Sequence, residues 1–385
     1  MAALPEPGLE AQAHSRALAD IIVQRIAEAG GWLSFADYMS LALYAPGLGY
    51  YTAGARKFGA GGDFVTAPEL TPIFGQAIAA QAAQVLAETS GGDILELGAG
   101  SGRLAVDMLA ELERLDSLPG RYCILDVSPD LRQRQQALIQ SEIPRLADRV
   151  HWLDSLPECF VGLIVGNEVL DALPVHLVRR QGDAFFERGV VVADDARFEW
   201  QDRPLTDGQL YRAAQALPAG NAAYLSEINL AAPALVHSLA ASLERGMILL
   251  IDYGFPKAEY YHPDRNTGTL MCHYRHHAFD DPFFLPGLTD ITSHVDFTAV
   301  ADAALESEMD VLGYTGQAHF LVNCGALACL GRDDPGSVAY LRQAAAVQKL
   351  VQPSEMGELF KAIALGKDLE QLPLGFSLGD KRHTL

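Results

Sequence analysis

The sequence predicts an α/β fold built on a parallel sheet, and three observations carry that expectation. From residue 92, short apolar runs alternate with helical stretches: DILELGAG, RLAVDMLAELERL, RYCILDVS and PDLRQRQQALIQ follow one another. Alternation of this kind marks right-handed βαβ units. The first apolar run ends in an acid and turns through glycines into a helix start, at Glu96-Leu97-Gly98-Ala99-Gly100-Ser101-Gly102. Finally, 385 residues that are 49% hydrophobic and 20% charged suit one large core with additions, and exclude wholesale disorder.

Ahead of the sheet, SRALADIIVQRIAEAG sets Leu18, Ile21, Ile22 and Ile26 on one stripe and stops at Gly30-Gly31. Ser34 is placed to cap a second, short helix. The segment APGLGYYTAGARKFGAGGDFVTAPEL is too rich in glycine for long regular structure. It reads as an ordered loop or as a lid carrying Tyr50-Tyr51 and Arg56-Lys57-Phe58. Residues 72–88 are helix formers throughout. Residues 1–90 are therefore expected to form an N-terminal helical region with a glycine-rich lid, and 91–385 the sheet domain.

Within that domain RVHWL and VGLIVGNEV supply the third and fourth strands. Residues 175–201 break the rhythm with turns at Gly182-Asp183 and Asp194-Asp195, which predicts an antiparallel insert. ALVHSLAASLE and GMILLIDYG then resume as helix and fifth strand. The aromatic and proline-rich stretch 255–294 is too long for a simple connection and is expected to be a loop insert. Beyond it the pattern predicts helix 296–308, strand 310–314, helices 317–330 and 336–350, and a terminal αβ piece.

Charge narrows the partners. Lys and Arg number 28 against 49 Asp and Glu, a formal net charge of −21. A surface that acidic repels phosphate backbones and anionic headgroups, so neither nucleic acid nor membrane insertion is expected. The longest apolar stretch, near Phe320–Leu330, is too short to span a bilayer and Asn323 interrupts it. Cys123, Cys159, Cys272, Cys324 and Cys329 show no paired spacing, which fits a reducing compartment. The acidic start MAALPEPGLEAQAH lacks signal or transit character. A cytoplasmic, bacterial setting is the expectation, and a homodimer is left open.

Two ligand classes use a glycine turn at a strand end. Gly100, Gly102 and Ala105 match the dinucleotide register GxGxxA, which would make the chain a nicotinamide-dependent oxidoreductase. That register leaves Gly98 and Glu96 unexplained, and a carboxylate beside a pyrophosphate is adverse. Beside the cationic methionyl amine of S-adenosylmethionine (SAM) the same carboxylate is favourable. Asp126 ends the second strand, where a carboxylate accepts ribose hydroxyls, and Asp154 follows the third, where one would meet an adenine amine. One such acid alone would read as a solvated loop residue; three on successive strand ends favour SAM.

ELGAGSG, LDVSPDLR, GNEVLDALP, KFGAGGDFVTAPEL–FGQ and LIDYGF–GTLMCHYRHH–DITSHVDF together resemble the MidA-like (DUF185) family of class I SAM-dependent methyltransferases. The resemblance runs from about Phe35 to the final helices. It implies a Rossmann-like seven-stranded sheet with an N-terminal helical cap and inserted substrate-facing segments. It further implies that Gly98, Gly100 and Gly102 hug the methionyl part of SAM, that Glu96 orients it, and that Asp126 and Asp154 take ribose and adenine. Mitochondrial members of the family are similar to arginine methyltransferases acting on a subunit of respiratory complex I during its assembly. A protein substrate of that kind is the implied partner. A catalytically silent SAM-binding assembly factor is the alternative within the family.

Methyl transfer is an in-line displacement that needs alignment and a lone pair. The fourth strand ends in Gly166-Asn167-Glu168-Val169-Leu170-Asp171, beside the position of the transferable methyl, so Asn167 joins the cofactor set. Glu168 and Asp171 are spaced to hold a guanidinium fork. Asp252 and Tyr253, after the fifth strand, are read as a backbone or cation holder and a channel wall. His294 is a candidate proton acceptor. The cluster Cys272, His273, His276 and His277 fits no standard zinc spacing, and no metal is expected.

Overall fold

The computed structural model describes residues 4–53, 66–219, 223–332 and 334–385. Its centre is an eight-stranded sheet with a path of seven strands: β1 (Asp93–Leu97), β2 (Tyr122–Leu125), β3 (Val150–Leu153), β4 (Phe160–Asn167), β5 (Leu243–Phe255), β6 (Asp310–Gly316) and β7 (Phe360–Lys367). Beside that path the two-residue strand Val295–Asp296 pairs with the end of β5. The spatial order is β3-β2-β1-β4-β5-β7-β6. Pairing is parallel from β3 through β5, while β7 runs antiparallel to both β5 and β6. This is the predicted α/β architecture. The chain order reverses between β1 and β4, which opens a crevice at their carboxyl ends.

Both sheet faces are covered, because alternate side chains on each strand point opposite ways. Ile94, Val165, Leu249 and Ala364 face one core, and Leu95, Ile164, Leu250 and Leu365 the other. Ahead of the sheet come α1 (Leu9–Glu28), α2 (Phe35–Tyr44), the one-turn α3 (Ala67–Leu70) and α4 (Pro72–Glu88). After β1 and β2 come α5 (Arg103–Arg114) and α6 (Pro129–Glu142). The Ser34 cap forms as predicted, its Oγ accepting the Asp37 amide at 3.1 Å. The lid residues Arg56, Lys57 and Phe58 lie outside the described residues.

Four differences from expectation have physical causes. A division at residue 90 would cut α4 from its support, since Phe74, Ile78 and Val85 are buried in the same core as β1 and α5. The antiparallel insert reaches beyond 201: strands His176–Gln181, Ala184–Val192 and Phe198–Leu205 are joined by Tyr224–Ile228 on one side and by Leu33–Ser34 from the N-terminal region. Stretch 255–294 is not wholly loop. Met271–Tyr274, His277–Phe279 and Asp290–Thr292 make a three-stranded antiparallel sheet, whose short strands proline and aromatic composition concealed. Helix 317–330 breaks into Gln317–Asn323 and Ala326–Leu330, because Gly325 takes φ +84°.

All five cysteines are free. Among the described residues no helix is long and apolar enough to cross a membrane.

Candidate functional site

A cavity of about 660 Å³ opens at the carboxyl ends of β1, β2, β4 and β5. Its inner wall is the glycine turn after β1. Gly98 and Gly100 take φ of +60° and +54°, values that L side chains rarely adopt, and both line the cavity. A Cβ on Gly98 would point at Val169 Cγ2, 3.5 Å away, across space otherwise left to a ligand. Gly102 departs from expectation. It lies off the lining at φ +87°, and a Cβ there would meet Gln135 Cγ at 3.2 Å, so its smallness lets α5 approach α6.

Glu96 ends β1 and is buried, with Tyr122 donating to its Oε2 at 2.7 Å. Burial pushes its carboxyl up to about 8; the Tyr122 bond pulls it down and nearby Asp126 pushes it up. Asp126 accepts the Ser128 amide at 2.9 Å and Gln135 Nε2 at 2.8 Å. The same Gln135 amide group donates to Gly100 O at 3.0 Å, and Trp152 Nε1 holds its oxygen at 2.8 Å. Gln135 thus ties the glycine turn to the β2 acid. Its place in a polar helix gave the sequence reading no signal. Asp154 is not part of this wall. Its side chain is 89% exposed and bridges to Arg132 at 2.9 Å, because the chain leaves β3 outside the cavity mouth.

The opposite wall belongs to the end of β4. Asn167, Glu168 and Asp171 all line the cavity. Glu168 sits at φ +54°, and its carboxylate receives Asn167 Nδ2 at 3.0 Å and the Ala67 amide from α3. Burial pushes Glu168 up to about 8, with the Asp171 charge adding to it. Burial likewise raises Asp171 to about 6, against the pull of the Tyr253 hydroxyl. Asn167 Oδ1 and Asp171 Oδ1 are buried acceptors without a hydrogen-bond partner. Behind them Asp252 is wholly buried and bonded to backbone amides, so of the two roles expected for it the backbone one is formed.

His294 lines the cavity edge-on to Tyr253, ring centres 5.2 Å apart, and beside Phe255 at the same distance. Burial, with Arg265 and Lys361 nearby, lowers it to about 4. An imidazole so shifted stays neutral and holds a proton poorly, which disfavours the acceptor role expected for it. In the CHYRHH segment the residues diverge: Cys272 is buried, His273 lines the cavity, and His276 and His277 lie at an exposed turn.

Glu69, Asp290 and Tyr44 carried no site expectation from the sequence, and all three line the cavity together with Tyr51 of the expected lid. Tyr51 donates to Asp290 at 3.0 Å and Ser101 to Glu69. Arg103 is also in the lining, engaged by Asp107 at 3.0 Å and Glu142 at 2.9 Å. A chamber walled by Glu69, Glu96, Asp126, Glu168, Asp171 and Asp290 suits cationic ligands and opposes a dinucleotide pyrophosphate. A buried carboxyl at Glu96 and a side-chain-free turn at Gly98 fit SAM, whose methionyl end is a cation with no phosphate.

Comparison with known proteins agrees. The family model described as "Putative S-adenosyl-L-methionine-dependent methyltransferase" matches residues 77–315. A crystal structure of a superfamily member from Burkholderia thailandensis bound to S-adenosyl-homocysteine superposes with a TM-score of 0.97, at 47% identity over 100% of both chains. A native structure from the same organism gives 0.92 at 46% identity, again over 100% of both. The mitochondrial protein arginine methyltransferase NDUFAF7 of Danio rerio is 28% identical, over 86% of this chain and 83% of its own. The Caenorhabditis elegans homolog is 26% identical, over 84% and 79%. The cofactor is S-adenosylmethionine, the fold is the class I methyltransferase fold, and the chain belongs to the MidA-like family of SAM-dependent methyltransferases.

Proposed function

We propose that this methyltransferase modifies an arginine side chain presented by a partner protein, a subunit like those of respiratory complex I by family resemblance. The observation that carries the reading is the pair of buried, unpartnered acceptors, Asn167 Oδ1 and Asp171 Oδ1, set beside Glu168 in an acidic wall. A guanidinium offers five N–H donors in a planar fork and suits such a wall better than a single-point ammonium does. The names of the mitochondrial relatives, protein arginine methyltransferases, point the same way.

The roles follow from position. Glu96, Asp126 and the turn at Gly98–Gly100 hold the cofactor, which when bound supplies a methyl on a sulfonium. Asp171 and Asn167 orient the guanidinium so that one nitrogen keeps a lone pair toward that methyl. As the N–CH3 bond formed, the S–CH3 bond would break to leave neutral S-adenosyl-homocysteine, and the nitrogen would shed a proton to the ionised form of Glu168, whose carboxyl, raised to about 8, titrates within reach of neutral pH. Tyr44 and Tyr51, ring centres 5.6 Å apart, wall the acceptor side and exclude water.

Mass spectrometry of a lysate from a strain lacking the protein, incubated with purified enzyme and methyl-labelled SAM, tests this. Label on arginine of one or a few proteins is expected. Label confined to lysine, or to small molecules, would refute the arginine assignment. Cofactor binding with no label in any protein would favour the silent assembly factor.

A further inference from the structure

The turn after β4 has an unusual support. Asp252, at the end of the neighbouring β5, is wholly buried and lies behind the cavity lining. Its Oδ2 accepts three successive amides, Val169 at 3.1 Å, Leu170 at 2.9 Å and Asp171 at 3.2 Å. Its Oδ1 accepts the Tyr253 amide at 2.9 Å. Successive N–H groups converging on one point form a nest, and here its acceptor is a carboxyl from within the chain, which burial and the nearby Asp171 and Glu168 push well up and the backbone amides pull down. The residue opening the nest is Glu168, at φ +54°, its own amide bonded to Ile251 O at 2.9 Å.

A left-handed glutamate is strained and persists only where its surroundings over-determine it. Without the Asp252 carboxyl, three amides at the buried base of the turn would lose their acceptor, and their desolvation would go uncompensated. The turn would then have reason to relax, and Glu168 and Asp171 would turn with it. The far side of the turn is pinned by Tyr44 hydroxyl to Ala172 O at 2.9 Å, the Ser293 amide to Asp171 O at 3.0 Å and Asn229 Nδ2 to Leu170 O at 3.5 Å. Of these only the last, and longest, reaches residues 168–170.

We propose that Asp252 is the positioning residue of the methyl-transfer site: its buried carboxylate builds the 168–171 turn and so aims Glu168 and Asp171 into the cavity. It acts through Glu168 and Asp171 and lies behind the cavity lining. The inference requires only methyl transfer and does not depend on arginine being the acceptor.

Asp252→Asn is the informative change, because it keeps the volume while offering one oxygen and one NH2. Either the turn amides or the Tyr253 amide must then face a donor. S-adenosyl-homocysteine binding by calorimetry should stay within about threefold of wild type, while label transfer into lysate proteins at saturating SAM falls by about tenfold or more. The decisive measurement is a double-mutant cycle with Glu168→Gln. The double variant should lose clearly less than the product of the two single losses, because part of the Asp252 effect runs through Glu168. Additive losses, or an unimpaired Asp252→Asn, would overturn the proposal. Label landing on a residue other than arginine would refute the preceding section and leave this one standing. Should Asp252→Asn fail to fold, or wild type label nothing, amide exchange in wild type decides. Val169, Leu170 and Asp171 should exchange with the sheet, and exchange at open-turn rates would overturn the assignment.

Discussion

At the end of β1 the chain turns on Gly98 and Gly100, at φ +60° and +54°; one strand over, at the end of β4, it turns on Glu168 at +54°. The backbone demand is the same and the answers differ. The β1 turn removes side chains, so backbone and ligand can approach closely. The β4 turn keeps a side chain in the strained position and holds it by donating the Glu168 amide to Ile251 O and the next three amides to Asp252. A cofactor needs room, whereas a reacting acceptor needs an acid held at one place. The two halves of one cavity are therefore sensitive to different substitutions.

The largest expected effect is on the β1 side. Gly98→Val puts a β-branched side chain at positive φ and into the cofactor's space, so S-adenosyl-homocysteine affinity should fall by about 100-fold or more in a folded chain. Retained binding in calorimetry would break the comparison at its first term. Next comes Glu168→Gln, which removes the proposed proton acceptor and leaves the β1 wall unaltered. Methyl transfer should drop by about 100-fold, in the usual range for general-base loss, with homocysteine-ligand affinity changed by less than about threefold. An equal loss of binding and rate would show that the two walls are not separate.

A smaller effect is read in pH. Glu96 is raised to about 8 in the folded chain against 4.5 for the free group, so the folded state holds a proton that the unfolded chain has already lost. Its contribution to stability is complete below about pH 4.5 and is lost as pH rises toward 8. In the ligand-free protein, Glu96→Gln should flatten the decline in Tm across that window; an unchanged slope in thermal scans would place the titration elsewhere. The smallest effect belongs to Asp154→Ala. With its carboxylate exposed on Arg132, its loss should leave calorimetric affinity within about twofold, and a tenfold loss would return Asp154 to the cofactor wall.

Sequence reading reached what composition expresses locally. The β1 turn was legible because left-handed backbone there is met by glycine, and the helix starts because Ser34 and Pro72 sit where caps and first turns want them. The parallel sheet was legible in its buried apolar runs. The β4 turn was visible only as two acids three apart, since positive φ at a glutamate leaves no compositional trace. Gln135 and Asp290 were invisible for a related reason: each acts through a partner distant in sequence, Gly100 in one case and Tyr51 in the other. Asp154 shows the converse. Position after a strand was read as position in the site, but the chain leaves β3 outside the cavity mouth, where Asp154 meets solvent and Arg132 of α6.

The placement of β7 has a consequence for how the molecule is made. This strand enters the sheet between β5 and β6, yet follows both along the chain, with Met247 paired to Gly366 and Val311 to Leu365. While a ribosome is still extending the chain toward Phe360, β5 and β6 each present an unpaired edge to solvent, and the cavity lacks the wall formed by Leu359 and Phe360. The glycine turn and the acids on β4 are synthesised long before the sheet that holds them can close. Premature termination before residue 360 should give aggregating, cofactor-free chains, so production of the enzyme hangs on its last strand as much as on its first.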